Sequence, residues 1–177
     1  MSSKNYRVLS LDVSSTCTGW SFITNRKNSL KFGTIRPNNK DSLPIKLSFF
    51  RQELIKILKE HEPNQVVIED TFMGTNPKIT KLLAKFGGVA EQVTYEYVDV
   101  IPFIVGNTKP KSFFKVKKKE QLFDVIIDLV DFGLDDMAFK EWNDVADSTA
   151  QLLCYCDEIL NIKKVRQEKE YGFRYKF

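Results

Sequence analysis

One short segment of this 177-residue chain, residues 65–70, constrains the fold more than any other. Its sequence, QVVIED, places apolar side chains at consecutive positions, so both faces of the strand that it predicts must be covered. An amphipathic helix precedes it, with apolar residues three and four positions apart at Leu43, Leu47, Phe50, Leu54, Ile57 and Leu58. A strand covered on both faces and entered from a helix is typical of the parallel interior of an α/β sheet.

The remaining elements extend this sheet on both sides. Three alternating segments predict an antiparallel meander before the first helix: residues 6–14, 19–24 and 30–35. After QVVIED, Asn76 and Pro77 predict the start of a helix, and residues 98–105 predict a fifth strand near an edge, because Pro102 lacks a backbone N–H. Further helices are predicted at residues 118–130 and 142–160. The sequence thus predicts an α/β fold, a five-stranded mixed sheet with helices on both faces.

Length and composition restrict the class of protein. The chain is long enough for one domain, which we place at residues 1–160, followed by a basic tail at 161–177. No apolar segment approaches the length of a bilayer-spanning helix and the N-terminus lacks a signal-peptide pattern, so we expect a soluble cytoplasmic protein without a membrane partner. The three cysteines, at 17, 154 and 156, fit buried thiols in a reducing compartment. His61 is the only histidine, which excludes a zinc site with two imidazole ligands.

Positive charge is concentrated in two places. The tail has six Lys or Arg residues against two Glu, and this excess equals the net charge of the whole chain, +4. A second block, residues 109–119, has six lysines, no acid, and two phenylalanines among them. Basic side chains interleaved with aromatics favour contact with a nucleic acid, although runs of charge are also common on solvated surfaces.

Four carboxylates occupy positions where the predicted sheet would gather them. Asp12 lies late on the first strand, Glu69 ends the fourth, and Asp144 and Asp147 are three residues apart on the last helix. Each has a simpler interpretation: the helical pair could complement the helix dipole, Glu69 could pair with a lysine, and Asp12 could anchor the following turn. As a set, the four favour a hard cation, Mg²⁺ or Mn²⁺, and a pair of such ions can hydrolyse a phosphodiester.

Three stretches carry a resemblance to a known family: LDVSSTCTGW from Leu11, VIEDTFMGTNPKITKLLAKFGGV from Val67, and NDVADSTA from Asn143. In this order they resemble the RuvC-like Holliday junction resolvases of the ribonuclease H superfamily. The resemblance implies a homodimeric Mg²⁺-dependent endonuclease, with Mn²⁺ able to substitute and two ions per site, that nicks opposed strands of four-way DNA and needs no small-molecule cofactor. The family's four catalytic, metal-binding acids fall on Asp12, Glu69, Asp144 and Asp147.

The same resemblance implies roles for other residues. Phe72 matches the aromatic that wedges into the junction, although a buried position under the sheet fits it too. Lys109 is expected to stabilise transition-state charge and Lys119 to lie near the scissile phosphate. Further lysines are expected to bind the DNA backbone: Lys78, Lys81, Lys85, Lys111, Lys115, Lys117 and Lys118. A dimer contact is expected on the helix that contains Phe86, Gly87, Gly88 and Val89.

Two departures and two alternatives bear on this interpretation. Val13-Ser14 replaces the family's frequent Pro-Gly, and the loop at residues 109–119 is about one residue shorter and more basic, which suits a phage-type relative in a bacterial or phage-infected cell. The first strand and its Ser/Thr turn also resemble ATPases of the hexokinase and heat-shock superfamily, but their second phosphate-binding Asp-Gly turn is missing. A junction-binding protein without nuclease activity is the other alternative, and it would be expected to lack one of the four acids.

Overall fold

Five strands form one mixed sheet in this computed structural model, which describes residues 5–25, 30–71, 76–134 and 137–160. The strands are β1 (Arg7–Asp12), β2 (Thr18–Thr24), β3 (Lys31–Ile35), β4 (Gln65–Glu69) and β5 (Phe103–Val105). Their order across the sheet is β3-β2-β1-β4-β5. β1 pairs antiparallel with β2, as does β2 with β3, whereas β1–β4 and β4–β5 are parallel. The predicted meander, the interior position of QVVIED and the edge position of the fifth strand are confirmed.

Five helices accompany the sheet in the described residues: α1 (Leu43–His61), α2 (Pro77–Val98), α3 (Lys109–Phe113), α4 (Lys119–Leu129) and α5 (Phe139–Glu158). Helices α1 and α2 pack on one face, where Leu9, Leu11 and Phe22 join Phe50 and Phe86 in a buried cluster. Helix α5 covers the other face through a second cluster that includes Val8, Ile23, Val67, Val105 and Leu152. The predicted α/β fold with helices on both faces is confirmed. None of the described helices is long and apolar enough to cross a membrane.

The structure differs from the sequence prediction at two element boundaries and by one additional helix. Residue Val98, predicted to begin a strand, ends α2 and packs against the core, and β5 starts only after Pro102, which cannot donate to the sheet. Helix α3 was not predicted, because a five-residue helix rich in lysine has no apolar period to detect. Helix α5 begins at Phe139 instead of Trp142. The proposed division at residue 160 stays a prediction, since the tail lies outside the described residues.

The expected dimer contact on α2 requires correction. Phe86 has no exposed surface and its ring packs edge-to-face on Phe50, 5.4 Å between centroids, so the prediction that it contacts a second subunit is wrong. A Cβ added to Gly87 would meet only Thr71, at 3.3 Å, and one added to Gly88 would meet nothing within 4 Å. Within the described residues, no backbone of the same chain therefore accounts for the two glycines. Gly87 is buried as well, which also removes it from the expected contact, whereas Gly88 is exposed and Val89 partly so, and both remain available for such a contact.

Candidate active site

Asp12 and Glu69 end adjacent parallel strands at the same level. The β1–β4 register pairs Leu11 with Ile68, and each acid is the next and last residue of its strand. Side chains alternate along a strand, so both acids lie on the face covered by α5, the face of Val8, Ser10 and Val67. Topology alone thus brings the two carboxyl groups side by side, close enough to hydrogen-bond each other.

Helix α5 supplies the other two acids, and a glycine fixes how closely it approaches. Asp144 and Asp147 lie beyond the first turn of α5, so complementing the helix dipole does not explain them. A Cβ on Gly19 would lie 2.0 Å from the backbone oxygen of Asp144 and 2.7 Å from the nitrogen of Val145. Only a residue without a side chain lets α5 touch β2 at this point.

A buried polar seam holds the same helix in register on the sheet. The Ser21 hydroxyl on β2 lies 2.9 Å from the Ser148 hydroxyl and 2.7 Å from that of Thr149. All three residues are fully buried, and directional bonds of this kind specify one position of the helix along the strands. The seam lies one residue beyond Asp147, so it also fixes where that acid stands.

The acids line a small cavity. Its volume is about 150 Å³, room for a few water molecules or ions but not for a nucleotide. Its lining residues are Asp12, Glu69, Asn107, Pro110, Lys111, Lys119, Leu122, Asp147 and Gln151. Asp144 stands beside this cavity and is linked to it through Lys119.

Lys119 is the cation of the site. Its ammonium lies 2.6 Å from Oδ2 of Asp147 and 3.6 Å from Oδ1 of Asp144. Burial disfavours its charge, but the carboxylates of Asp147, Asp12 and Asp144 outweigh burial and raise its pKa above the ordinary lysine value. Lys119 therefore carries a full charge at neutral pH.

One ammonium does not neutralise the acids around it. The pKa of Asp12 is raised well above its usual value, first by burial and then by the nearby charges of Glu69 and Asp147. Burial also raises the pKa of Glu69 and of Asp147, although Lys119 works in the opposite direction on both. The site thus has an excess of negative charge that an additional cation would relieve.

A divalent metal ion fits the chemistry of these donors. Oxygen ligands from carboxylates suit Mg²⁺ or Mn²⁺. Within the described ranges, no group of three or more acidic, thiol or imidazole side chains is already arranged to hold a metal. Because the Lys119 ammonium bonds Asp147 and lies near Asp144, these two carboxylates are engaged with a protein cation instead of converging on one point.

The buried thiol of Cys17 is a neighbour of Asp144 that the sequence did not reveal. The thiol donates a hydrogen bond to the Asp144 carboxylate, and burial together with this contact raises the pKa of Cys17 to about 12. The thiol therefore stays neutral and acts as a weak donor. The prediction that Cys17, Cys154 and Cys156 are free and buried is confirmed.

The two lysines expected to take part in chemistry lie in different places. Lys119 lies among the acids, as described, whereas Lys109 is exposed and its ammonium bonds Oε2 of Glu158 at 2.8 Å. Lys109 lines a separate groove with Phe103 and Tyr155, away from the acidic cavity. The structure does not bring Lys109 to the site, and Lys111, which was expected only to bind backbone phosphates, lines the cavity instead.

The other lysines predicted to contact DNA take part in no ion pair within the part of the chain that the structure describes. Lys78, Lys81 and Lys85 are exposed on α2, and Lys115, Lys117 and Lys118 are exposed between α3 and α4. Phe72, the predicted wedge, lies outside the described residues. In the sequence, Phe72 comes three residues after Glu69. Any role for it stays a prediction.

Comparisons with known proteins agree on one family. The family model described as "Crossover junction endodeoxyribonuclease RuvC" matches residues 8–110, more than half of the chain. The RuvC protein of Nitrosomonas eutropha is 28% identical over 166 residues, covering 87% of this chain and 86% of that protein. The RuvC protein of Rickettsia conorii is 36% identical over 72 residues, which span 39% of this chain and 46% of that protein.

Solved structures show the same fold. T. thermophilus RuvC, solved in complex with a Holliday junction substrate, matches with a TM-score of 0.70 at 14% identity, over 85% of this chain and 93% of that one. The fowlpox virus resolvase, solved with substrate Holliday junction DNA, matches with a TM-score of 0.51 at 15% identity, over 87% and 99% of the two chains. At such identities the likeness concerns the fold, which is the predicted ribonuclease H-like arrangement.

Proposed function

The chain belongs to the RuvC family of crossover junction endodeoxyribonucleases, and on this premise we propose that it is a Holliday junction resolvase whose active site is the acidic cavity. The substrate is four-way DNA, nicked on opposed strands. One observation carries the assignment of the site: Asp12, Glu69 and Asp147 come from three separate elements and line one cavity with Lys111 and Lys119. Acids grouped for structural reasons would be expected to end on cations that cancel them. Here the ammonium of the half-buried Lys119 is the one cation in the described residues that forms an ion pair at the cavity, and it faces several carboxylates.

The acids would hold divalent cations, Mg²⁺ with Mn²⁺ as a substitute. Asp12, Glu69, Asp144 and Asp147 are the proposed ligands, and we propose two ions per site, as the resemblance implies. When bound, such ions lower the pKa of a water molecule and stabilise the leaving oxygen. The protein's own part is to keep the carboxylates close and partly buried, so that they are poorly neutralised until a cation arrives.

The lysines around the cavity would handle the phosphate. Lys111 lines the cavity, forms no ion pair with any of the described residues, and is placed to contact a phosphate that enters the cavity. Lys119, whose ammonium bonds Asp147, lines the same cavity and would face the scissile phosphate. The exposed lysines at 78, 81, 85, 115, 117 and 118 would bind the backbone outside the site.

A homodimer completes the proposal. A four-way junction has two-fold symmetry, and two sites related by the same symmetry can nick opposed strands. The exposed glycine face of α2, at Gly88 and Val89, is the proposed contact, with Phe86 now assigned to the core.

The test compares two neighbouring acids. Glu69→Gln should abolish Mg²⁺-dependent nicking of a synthetic four-way junction while leaving junction binding in EDTA within about twofold, because affinity comes mainly from phosphate contacts. Asp70→Asn is the matched control, since Asp70 is the next residue, exposed, and does not line the cavity.

Two results would count against this proposal. Nicking by Glu69→Gln at the wild-type rate would remove the cavity from the mechanism. Junction binding without nicking by the wild-type protein, across Mg²⁺ and Mn²⁺, would favour the alternative of a non-catalytic junction-binding protein.

A further inference from the structure

A buried amide stands behind the proposed metal ligand Glu69. Gln151 lies on α5, four residues after Asp147 and therefore on the same helix face, with only 1% of its surface exposed. Its Nε2 donates to Oε2 of Glu69 at 2.8 Å. Gln151 also lines the acidic cavity.

The surroundings of Gln151 do not explain why an amide is present. Its neighbours along α5, Ala150, Leu152 and Leu153, are fully buried and apolar. A buried amide without partners costs about 1–3 kcal/mol in proteins, so a buried glutamine needs partners for both ends of its side chain. Gln151 has them: Glu69 accepts from its nitrogen, and the Ser10 hydroxyl on β1 donates to its Oε1 at a longer 3.4 Å.

The direction of the Gln151–Glu69 bond follows from the chemistry of its partner. An ionised carboxylate only accepts hydrogen bonds, so the amide must turn its NH₂ toward Glu69 and its oxygen toward Ser10. This donor is neutral. It therefore fixes one oxygen of Glu69 without adding a positive charge that would compete with a metal ion. At Asp147, by contrast, the ammonium of Lys119 does add such a charge.

We propose that Gln151 is a positioning residue that holds Oε2 of Glu69, so that the rest of this carboxylate faces the cavity in one orientation for a divalent ion. The inference rests on the proposed function, because it assigns a role relative to the same site. Hydrogen-bond partners behind a ligand orient it and raise its affinity for metal, and their loss typically costs about 10- to 100-fold.

The informative substitution is Gln151→Met, which keeps an unbranched side chain of similar length and removes the donor. The control is Gln92→Met: the Nε2 of Gln92 donates to Oε1 of Glu96 at 2.7 Å, the same type of contact on the exposed face of α2. Because Gln151→Met leaves the Ser10 hydroxyl without its acceptor, the double variant with Ser10→Ala provides a second protein in case the single one folds poorly.

The readout is Mn²⁺ binding by the DNA-free protein, followed by the electron paramagnetic resonance signal of free Mn²⁺, with Glu69→Gln defining the site. We expect Gln151→Met, or the double variant, to weaken this binding at least about tenfold, and Gln92→Met to change it less than twofold. Junction binding in EDTA should not change. Nicking should be restored at high Mg²⁺, so that the metal requirement rises more than the maximal rate falls.

The outcomes separate this inference from the proposed function. Wild-type Mn²⁺ affinity in a folded Gln151→Met protein overturns the positioning role and leaves the function standing. The positioning role is also overturned if metal affinity, junction affinity and melting temperature all fall together in both the single and the double variant, because that pattern marks a purely structural residue. If wild type shows no Glu69-dependent Mn²⁺ binding and no nicking, the proposed function fails and this inference fails with it.

Discussion

Replacing Gly19 by alanine should disable the site through a single methyl group. The added Cβ would lie 2.0 Å from the backbone oxygen and 2.2 Å from the backbone carbon of Asp144, whereas Cβ atoms essentially never come within 3.0 Å of other heavy atoms. The obstructing atoms belong to backbone in the middle of α5, so no side chain can rotate away. The strand or the helix has to move by at least about 1 Å, on the order of the shift that costs 100-fold in catalysis.

The displacement falls on the catalytic acids before it affects the rest of the fold. Asp144 is the residue pushed, and Asp147 follows it by one turn of the same helix. We expect nicking of a four-way junction to fall about 100-fold, junction binding in EDTA to stay within about threefold, and the free energy of unfolding to fall by about 1–3 kcal/mol from overpacking.

Gly106→Ala is the matched control for this substitution. A Cβ on Gly106 would meet no atom of the described residues within 4 Å, so this variant should nick and melt like wild type. Single-turnover nicking at saturating Mg²⁺ and thermal melting measure the two effects. Wild-type nicking and melting by Gly19→Ala would show that α5 does not touch β2 as described, and would refute the argument that this contact places the acids.

Three further predictions concern charge and packing. Asp12→Asn should remove nicking and raise the melting temperature in EDTA at neutral pH. Burial and the charges of Glu69 and Asp147 raise the pKa of Asp12 in the folded state, so wild-type stability falls as the pH rises from about 4 through the raised value. Equal melting curves of the two proteins at pH 7 would count against this. Lys111→Ala should slow nicking at least tenfold and Lys109→Ala less than threefold, and the reverse order in a kinetic assay would restore the original expectation for Lys109. Phe86→Ala should lower the free energy of unfolding, measured with denaturant, by about 3–5 kcal/mol, and a variant as stable as wild type would contradict its assignment to the core. Gly88→Leu should weaken dimerisation in sedimentation experiments at unchanged stability, and an unaltered dimer would contradict the proposed contact.

Strand order and the meeting of two acids were predictable because they follow from periodicity and topology. All the residues between Gln65 and Glu69 are apolar, so this strand had to lie inside the sheet, and parallel neighbours bring their carboxyl ends together. This was enough to predict that Asp12 and Glu69 lie side by side. The helix boundaries were less accurate, since α5 begins three residues before the predicted start and α3 has no apolar repeat.

The contacts behind the acids were not predictable from pattern. In the sequence, Gly19 is only the first residue of a predicted strand, and the approach of α5 alone shows that a side chain is excluded there. Gln151 stands in an apolar run, where a polar residue at a buried helical position was a signal that could have been followed. The partner of Lys109 on α5 is 49 positions away in the chain, and no local rule links Lys109 to Glu158 rather than to the cavity.

The central claim is that the acidic cavity cuts branched DNA with a divalent ion, and mapping the products of one reaction tests it directly. A synthetic four-way junction, labelled on each strand in turn, is incubated with wild-type protein and Mg²⁺ beside a linear duplex of the same sequence. We expect nicks at symmetric positions on two opposed strands of the junction, none in EDTA, and little cutting of the duplex. Equal cutting of both substrates, or cutting that persists in EDTA or in Asp12→Asn, would contradict it.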